Sequence, residues 1–329
     1  MRTVLLLGMG PTALSALESL APRFRVVGLV RDHTSPEGDA AVKRASELEV
    51  PVFTDVSLEG IDAAIYRCRP DCTVISSYDR ILPARIISRG RFVNVHYAPL
   101  PEYRGRASVN WAIINGEPET AITIHVLAPD LDSGNILYQK RVRIGADDTV
   151  TDLYAVLNAL QQQVLGATVA RYLSGYEGEP QDDSAAAYGC GRVPDDGEVD
   201  WSDSTRQIYA LVRALASPYP GAHTYLDARR IVIMRAAPVR DAPRYVGRVP
   251  GRVAGRCVRD GHVDVLTGDG VLRIHEVMDA DSTIRPASAC ITSTRQTLGL
   301  RTVDLLARIE ALEARLGIIS ETTKSTPLG

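Results

Sequence analysis

Residues 92–137 read FVNVHYAPLPEYRGRASVNWAIINGEPETAITIHVLAPDLDSGNIL. Val93 and Val95 alternate with Asn94 and His96, which is the period of a strand, and β-branched residues favour that conformation. The alternation sends Asn94 and His96 to one face, two residues apart. Pro99 and Pro101 then end the strand, and Gly105 permits a sharp turn. The spacing predicts a helix over 107–115 and a second strand over 121–127, after which Asp132 lies in a loop loosened by Gly134. An amide, an imidazole and a carboxylate carried on strand ends and loops can meet at one point. Open α/β sheets bind their ligands at such places.

The stretch before it supplies the sheet. Strand-like segments at 3–7, 25–30, 52–54 and 72–76 alternate with helical ones at 13–20 and 39–48. That order argues for a mainly parallel, open twisted sheet with helices on both faces, a Rossmann-like α/β architecture. The turn Gly8-Met9-Gly10-Pro11-Thr12 invites a dinucleotide reading. It lacks the third glycine at the required offset, and Arg31 precedes Asp32 where an acidic residue should end the second strand, so a nicotinamide site is disfavoured.

A lone Asn-x-His on a strand more often marks satisfied hydrogen bonds than catalysis. Here the whole ordered string carries the weight: NxHxxPLPxYxGR from Asn94 to Arg106, then LDSGNI from Leu131 to Ile136. In this string the sequence resembles the folate-dependent formyltransferases, which move a formyl group from N10-formyltetrahydrofolate to an amine. The resemblance implies catalytic roles for Asn94, His96 and Asp132 and requires no metal. It also implies that the segment SSYDRILP (76–83) holds the pterin, with Tyr78, Arg80, Ile81 and Leu82 along its edge and flanks. Ala128 and Asp130 would form the opposite wall.

The first-turn glycines then read as structural. His125 lies on the second strand, facing away from Ile122, Ile124 and Val126, and is expected only to support the site. The run YRGRASVNWAIINGE, with VPDDGEVDW (193–201) and SPYPGAH (217–223), most resembles the members that formylate nucleotide-linked amino sugars, such as UDP-4-amino-4-deoxy-arabinose. On that likeness Tyr97, Arg104, Arg106 and Arg192 are expected to face the acceptor, the arginines as phosphate or carboxylate partners. A structural turn that docks two domains is the competing reading of Arg192 and its neighbours. Competing acceptors are an amino acid such as N-hydroxyornithine and initiator methionyl-tRNA. The tRNA enzymes carry a basic insertion after the second strand, where this chain has the weakly charged RDHTSPEGDAAVKR. A formate-releasing hydrolase, or an assembly module without catalysis, would keep the fold. The first would bring an extra N-terminal regulatory domain, and the second is disfavoured by the intact Asn94, His96 and Asp132.

The remaining chain of the 329 residues supports a multidomain enzyme. A capped helix over 146–175 and a polar connection lead to an expected boundary at 190. A connecting segment with a helix follows over 191–222. Short strands and Gly-rich turns such as TGDG over 223–297 resemble the family's small barrel-like β domain. A C-terminal helix with its tail occupies 298–329. Leu305, Ile309, Leu312 and Leu316 give that helix an apolar stripe. The stripe could complete a homodimer seam, although packing back on the same chain is the plainer expectation.

Composition is that of an ordinary globular protein, 45% hydrophobic and 23% charged. The net charge of −3 argues against general nucleic-acid binding. No run is long enough for a membrane span, and the N-terminus lacks a signal-peptide pattern. Five scattered cysteines without metal spacing suit reduced thiols and a cytoplasmic location. The scarcity of lysine beside abundant arginine reads as a codon bias of a GC-rich, bacterial genome.

Overall fold

The computed structural model describes residues 1–32, 38–78 and 80–316. Part of the segment after the second strand, Asp79 of the segment expected to hold the pterin, and residues 317–329 of the C-terminal tail lie outside the described residues. The chain divides into two compact units, Met1–Arg192 and Val193–Gly329.

In the first unit β1 (Thr3–Gly8), α1 (Gly10–Leu20), β2 (Arg25–Val30), α2 (Gly38–Glu47), β3 (Val52–Phe53), α3 (Leu58–Cys68), β4 (Cys72–Ser76) and α4 (Ala84–Ile87) alternate strand with helix. Then come β5 (Phe92–His96), β6 (Arg104–Gly105), α5 (Ser108–Ile114), β7 (Glu119–Val126), β8 (Ile136–Arg143), α6 (Val150–Leu173) and β9 (Tyr188–Gly189). The seven-stranded sheet has the order β3-β2-β1-β4-β5-β7-β8. β1 pairs parallel with β2 and β4, and β4 with β5, so the chain reverses its direction of travel across the sheet at β1. β7 and β8 return antiparallel. The central strands are apolar runs because both faces are covered: Val4, Leu5, Leu6 and Leu7 are fully buried.

Several elements go beyond the sequence reading, α3 and β8 the longest of them in this unit. α3 is a capped amphipathic helix, with Ser57 accepting from the Gly60 N–H. β8 is largely polar and half exposed, as befits a sheet edge. α6 is bounded by a capping box of Thr149 and Asp152. The turn after β1 is structural: the Met9 N–H donates to the carbonyls of Ser76 and Ser77 and so ties β1 to β4.

The second unit holds α7 (Thr205–Ala214), β10 (Ala222–Leu226), β11 (Arg229–Pro238), β12 (Val253–Arg256), β13 (Val263–Leu266), β14 (Val271–Met278), β15 (Ile284–Pro286), α8 (Ala287–Cys290) and α9 (Thr302–Leu316). Its strands form an antiparallel sheet in the order β10-β11-β14-β13-β12, with β15 on β14. Its core gathers Trp201, Ile208 and Val212 with Ile233, Val265, Leu272 and Ile274, so α7 belongs to this unit's packing. The expectation that α9 packs back on its own chain fails. None of its described residues is buried, and Ile309 and Leu316 are 50% and 71% exposed.

Candidate active site

The strand β5 decides the site. Asn94 stands beside Ile75 of β4 on one side and His125 of β7 on the other. The antiparallel β5–β7 register sets Asn94 directly across from His125, on the same face. Asn94 Nδ2 lies 3.1 Å from His125 Nε2 and 3.4 Å from Asp132 Oδ1. His96 Nε2 approaches the Tyr103 carbonyl oxygen at 2.6 Å, so that nitrogen must carry the hydrogen. The other nitrogen, Nδ1, faces Asp132 Oδ2 at 3.7 Å. His125 Nδ1 sits 2.9 Å from the Val126 carbonyl and by the same logic is protonated, which leaves Nε2 to accept from Asn94.

Asp132 reaches this point because its backbone adopts a left-handed conformation, φ 49°. Its Oδ2 accepts the Gly105 N–H at 2.8 Å. Gly105 needs to be glycine twice over: its φ is +93°, and a Cβ there would meet the Gly189 carbonyl oxygen at 2.7 Å. Gln181 Nε2 donates to the carbonyls of Asp132 and Gly134, both at 2.7 Å. The loop is therefore pinned from its side chain and from its backbone.

Burial pushes the His96 pKa down, and the Asp132 charge and the Tyr103 carbonyl only partly offset this, so the imidazole is neutral at ordinary pH. Burial works to raise the Asp132 pKa. The two histidines and the Gly105 N–H outweigh it and hold the carboxyl well below the usual range.

These groups open onto a cleft of about 330 Å³. Tyr78, Arg80, Ile81 and Leu82 line it together with Leu127, Ala128, Asp130 and Leu131, and Asn94, His96 and Asp132 open onto the same space. Tyr78 is held by its hydroxyl, which donates to the Val56 carbonyl at 3.0 Å. Arg106 also lines this cleft.

The other three residues expected at the acceptor, Tyr97, Arg104 and Arg192, are not among the residues that line this cleft. Tyr97 is buried on the far side of β5, where its hydroxyl donates to Asn158 Oδ1 at 2.7 Å and lies 3.0 Å from Gln161 Oε1. Its strand parity puts it opposite His96. Arg104 is 3% exposed and is consumed by Asp183, Gln181 and the Tyr188 hydroxyl at 2.6 to 3.2 Å. It steadies Gln181, which in turn steadies the Asp132 loop. Arg192 lies over the Trp111 ring, 4.8 Å from its centroid, outside the cleft lining. Conversely, His125 was expected only as support and proves to be a direct partner of Asn94 and a 3.5 Å neighbour of Asp132. The signal was present in its parity on β7; the missing fact was that β7 runs antiparallel beside β5.

With this geometry in place, comparison with known proteins is informative. Residues 28–169 match the formyl transferase family model and residues 193–295 match the model for the formyl transferase C-terminal domain. The chain belongs to the formyl transferase family. Its fold is shared with HypX from Aquifex aeolicus, solved in complex with tetrahydrofolic acid, at 19% identity and TM-score 0.63; 89% of this chain is covered, and it spans 47% of that protein's length. It is shared also with an N-formyltransferase from Helicobacter canadensis solved with folinic acid and dTDP-3-aminofucose, at 18% identity, TM-score 0.63, and coverage of 83% and 98% of the two chains. A likely sugar N-formyltransferase from Mycobacterium tuberculosis matches at 20% identity and TM-score 0.55, over 68% and 91%. Among the described residues no helix is long and apolar enough to cross a membrane.

Proposed function

We propose that this chain transfers the formyl group of N10-formyltetrahydrofolate to the amine of a nucleotide-linked amino sugar. The observation that carries the reading is the convergence of Asn94, His96 and Asp132 at the floor of a cleft whose walls suit a flat heterocycle. Ile75, Ile81, Leu82, Ile87 and Leu127 offer apolar surface, while Arg80 and Asp130 offer polar edges. The folate supplies an activated carbonyl; the residues must stabilise the oxyanion and move one proton. Asn94 is oriented by its bond to His125, and its second amide hydrogen is aimed only weakly at Asp132. That hydrogen is free to donate to the developing oxyanion of a tetrahedral intermediate. His96 presents an unprotonated Nδ1 to a carboxylate 3.7 Å away, an arrangement that favours accepting a proton. In this reading His96 Nδ1 takes the proton from the attacking amine, Asp132 stabilises the imidazolium, and the proton then passes to the departing N10.

The nucleotide-sugar acceptor is supported by the YRGRASVNWAIINGE likeness and by the near-complete coverage of the Helicobacter enzyme, which holds such a sugar. Arg106, which lines the cleft, is the acceptor- or donor-side cation of this scheme, and Arg192, over the Trp111 ring, is not given that role. We place the enzyme in a bacterial cytoplasm, in keeping with five free cysteines and the arginine-rich composition. We also assign α9 as a homodimer seam, because its apolar stripe is exposed. Light scattering of the protein and of Leu312→Asp reads this directly, and a monomer in both cases overturns it. The function is tested by following folate absorbance while dTDP-, UDP- and GDP-amino sugars are added singly. Turnover with one sugar, lost in His96→Ala and Asp132→Ala, supports the assignment. Turnover with N-hydroxyornithine or methionyl-tRNA alone would replace the acceptor, and no turnover across the panel would eliminate it.

A further inference from the structure

The loop joining β12 to β13, residues 257–262, carries Cys257, Asp260 and His262, and one donor atom from each lies within 4.8 Å of the other two. The loop is short and closed: the Cys257 N–H donates to the His262 carbonyl at 3.0 Å, and Gly261 takes a positive φ of 78° to complete the turn. Cys257 Sγ is already 3.3 Å from Asp260 Oδ2. Both ends of the loop enter the antiparallel sheet directly, so the spacing of its donors is set by the β12–β13 pairing. His275 of β14 stands edge-on to His262, with ring centroids 6.1 Å apart, and limits the space into which His262 can turn.

We propose that Cys257, Asp260 and His262 bind a divalent transition metal of the zinc, cobalt and nickel type. A thiolate, an imidazole and a carboxylate around a tetrahedral ion stand about 3.3–3.6 Å apart, given metal–ligand lengths of about 2.0–2.3 Å. The three donors therefore need to draw together by at most about 1.5 Å, which side-chain rotation within a six-residue loop allows. A thiolate and an imidazole select the softer divalent ions over magnesium and calcium. Three protein ligands leave a fourth position for water. Binding releases the Cys257 thiol proton to solvent, and the carboxylate exchanges one cation for another: Arg259, 3.2 Å from Asp260 Oδ1 and itself 90% exposed, swings away. Arg273 does not compete, because Asp264 already holds it through two bonds of 2.7 and 2.9 Å. The site lies wholly in the second unit and takes no part in the formyl-transfer scheme.

The test is titration of the chelator-treated full chain with Co²⁺ and, separately, Zn²⁺. The expected result is one tetrahedral Co²⁺ per chain with a thiolate charge-transfer band, displaced by Zn²⁺. Zn²⁺ should also raise the melting temperature. Cys257→Ser and His262→Asn should each weaken Zn²⁺ binding beyond the roughly 10–100-fold that removal of an outer partner costs. Cys190→Ser, which removes the exposed thiol of the first unit, should leave the band intact. A band that survives both Cys257→Ser and His262→Asn, one that vanishes with Cys190→Ser, or no band at all overturns the site. Melting curves without metal show whether each variant is folded, so a misfolded protein is not mistaken for a lost ligand.

Discussion

Two polar clusters lie on opposite sides of β5, and they are built to opposite specifications. On one side both ends of the Gln161 amide are hydrogen-bonded at close range. Oε1 lies 3.0 Å from the Tyr97 hydroxyl and 3.2 Å from Ser76 Oγ, while Nε2 donates to the Thr12 carbonyl at 2.8 Å and to Ser15 at 3.1 Å. On the other side Asn94 bonds His125 at 3.1 Å, while Asn94, His125 and His96 stand 3.4 to 3.7 Å from Asp132, too far to saturate the donors and acceptors involved. The sealed cluster ties α1 and α6 to the ends of β4 and β5. The looser one faces the cleft and keeps a hydrogen of Asn94 and a lone pair of His96 in reserve. Residual hydrogen-bonding capacity, and not polarity alone, separates a site from a scaffold.

The largest expected effect breaks the loose cluster at its charge. Asp132→Asn keeps the shape and the Gly105 N–H contact but removes the partner of the imidazolium. We expect kcat to fall on the order of 10³-fold or more, with the melting temperature held within a few degrees. A comparable fall in stability would mean that Asp132 is scaffold and the comparison is misdrawn.

His125→Leu sharpens it next. It removes the acceptor that fixes the Asn94 amide, leaving that amide to rotate. We expect a loss of roughly 10- to 100-fold in kcat, in the range of a misplaced donor, with KM for the folate little changed. His125→Gln, which restores an acceptor, should recover most of the rate, a rescue that a purely packing role would not give.

The sealed cluster should answer in the other currency. Gln161→Leu takes the closest partner from the Ser76 hydroxyl and from the Thr12 carbonyl in a buried site, at a cost of about 1–3 kcal/mol. Denaturant unfolding reads this cost, and kcat at low temperature should stay near the parent value. Tyr97→Phe should cost less, about 1 kcal/mol. If Tyr97→Phe instead raised KM for an acceptor without loss of stability, Tyr97 would belong to the cleft after all.

What could be read beforehand follows the same divide. Asn94, His96 and Asp132 were legible because a two-residue alternation, two prolines and two glycines fix where their side chains go within one continuous stretch. Leu82, Ala128 and Asp130 were legible because their segments directly follow strands that end at the cleft. Tyr97 and Arg104 sit in the same motif, yet their directions depend on Gln161 and Asp183, 64 and 79 residues away, which no local pattern announces. His125 illustrates the converse. Its parity on β7 was read properly, but whether that face meets Asn94 is decided by the direction and register of pairing, a property of the sheet and not of the strand. β8 escaped for a related reason: an edge strand with Gln139, Lys140 and Arg141 carries no apolar alternation to find.

The smallest expected effect is a pH limb, and it tests the loose cluster without mutation. Burial lowers the His96 pKa below its ordinary 6.5, and Asp132 only partly counters this, so the neutral, proton-accepting form predominates at and above pH 6.5. Asp132 is held far below the usual carboxylate range and stays ionised throughout. The acidic limb of kcat should therefore lie below pH 6.5 and reflect one group, with a plateau on its alkaline side. The sign is fixed by the role: protonation fills the Nδ1 lone pair that the attacking amine needs, so rate is lost as pH falls. Were His96 to act instead as a cationic donor to the oxyanion, the same group would give the opposite limb, with rate falling as pH rises through its pKa. Asp132→Asn distinguishes the two cleanly. Loss of the carboxylate removes a charge that raises the His96 pKa, so the acidic limb must shift to still lower pH in whatever activity remains.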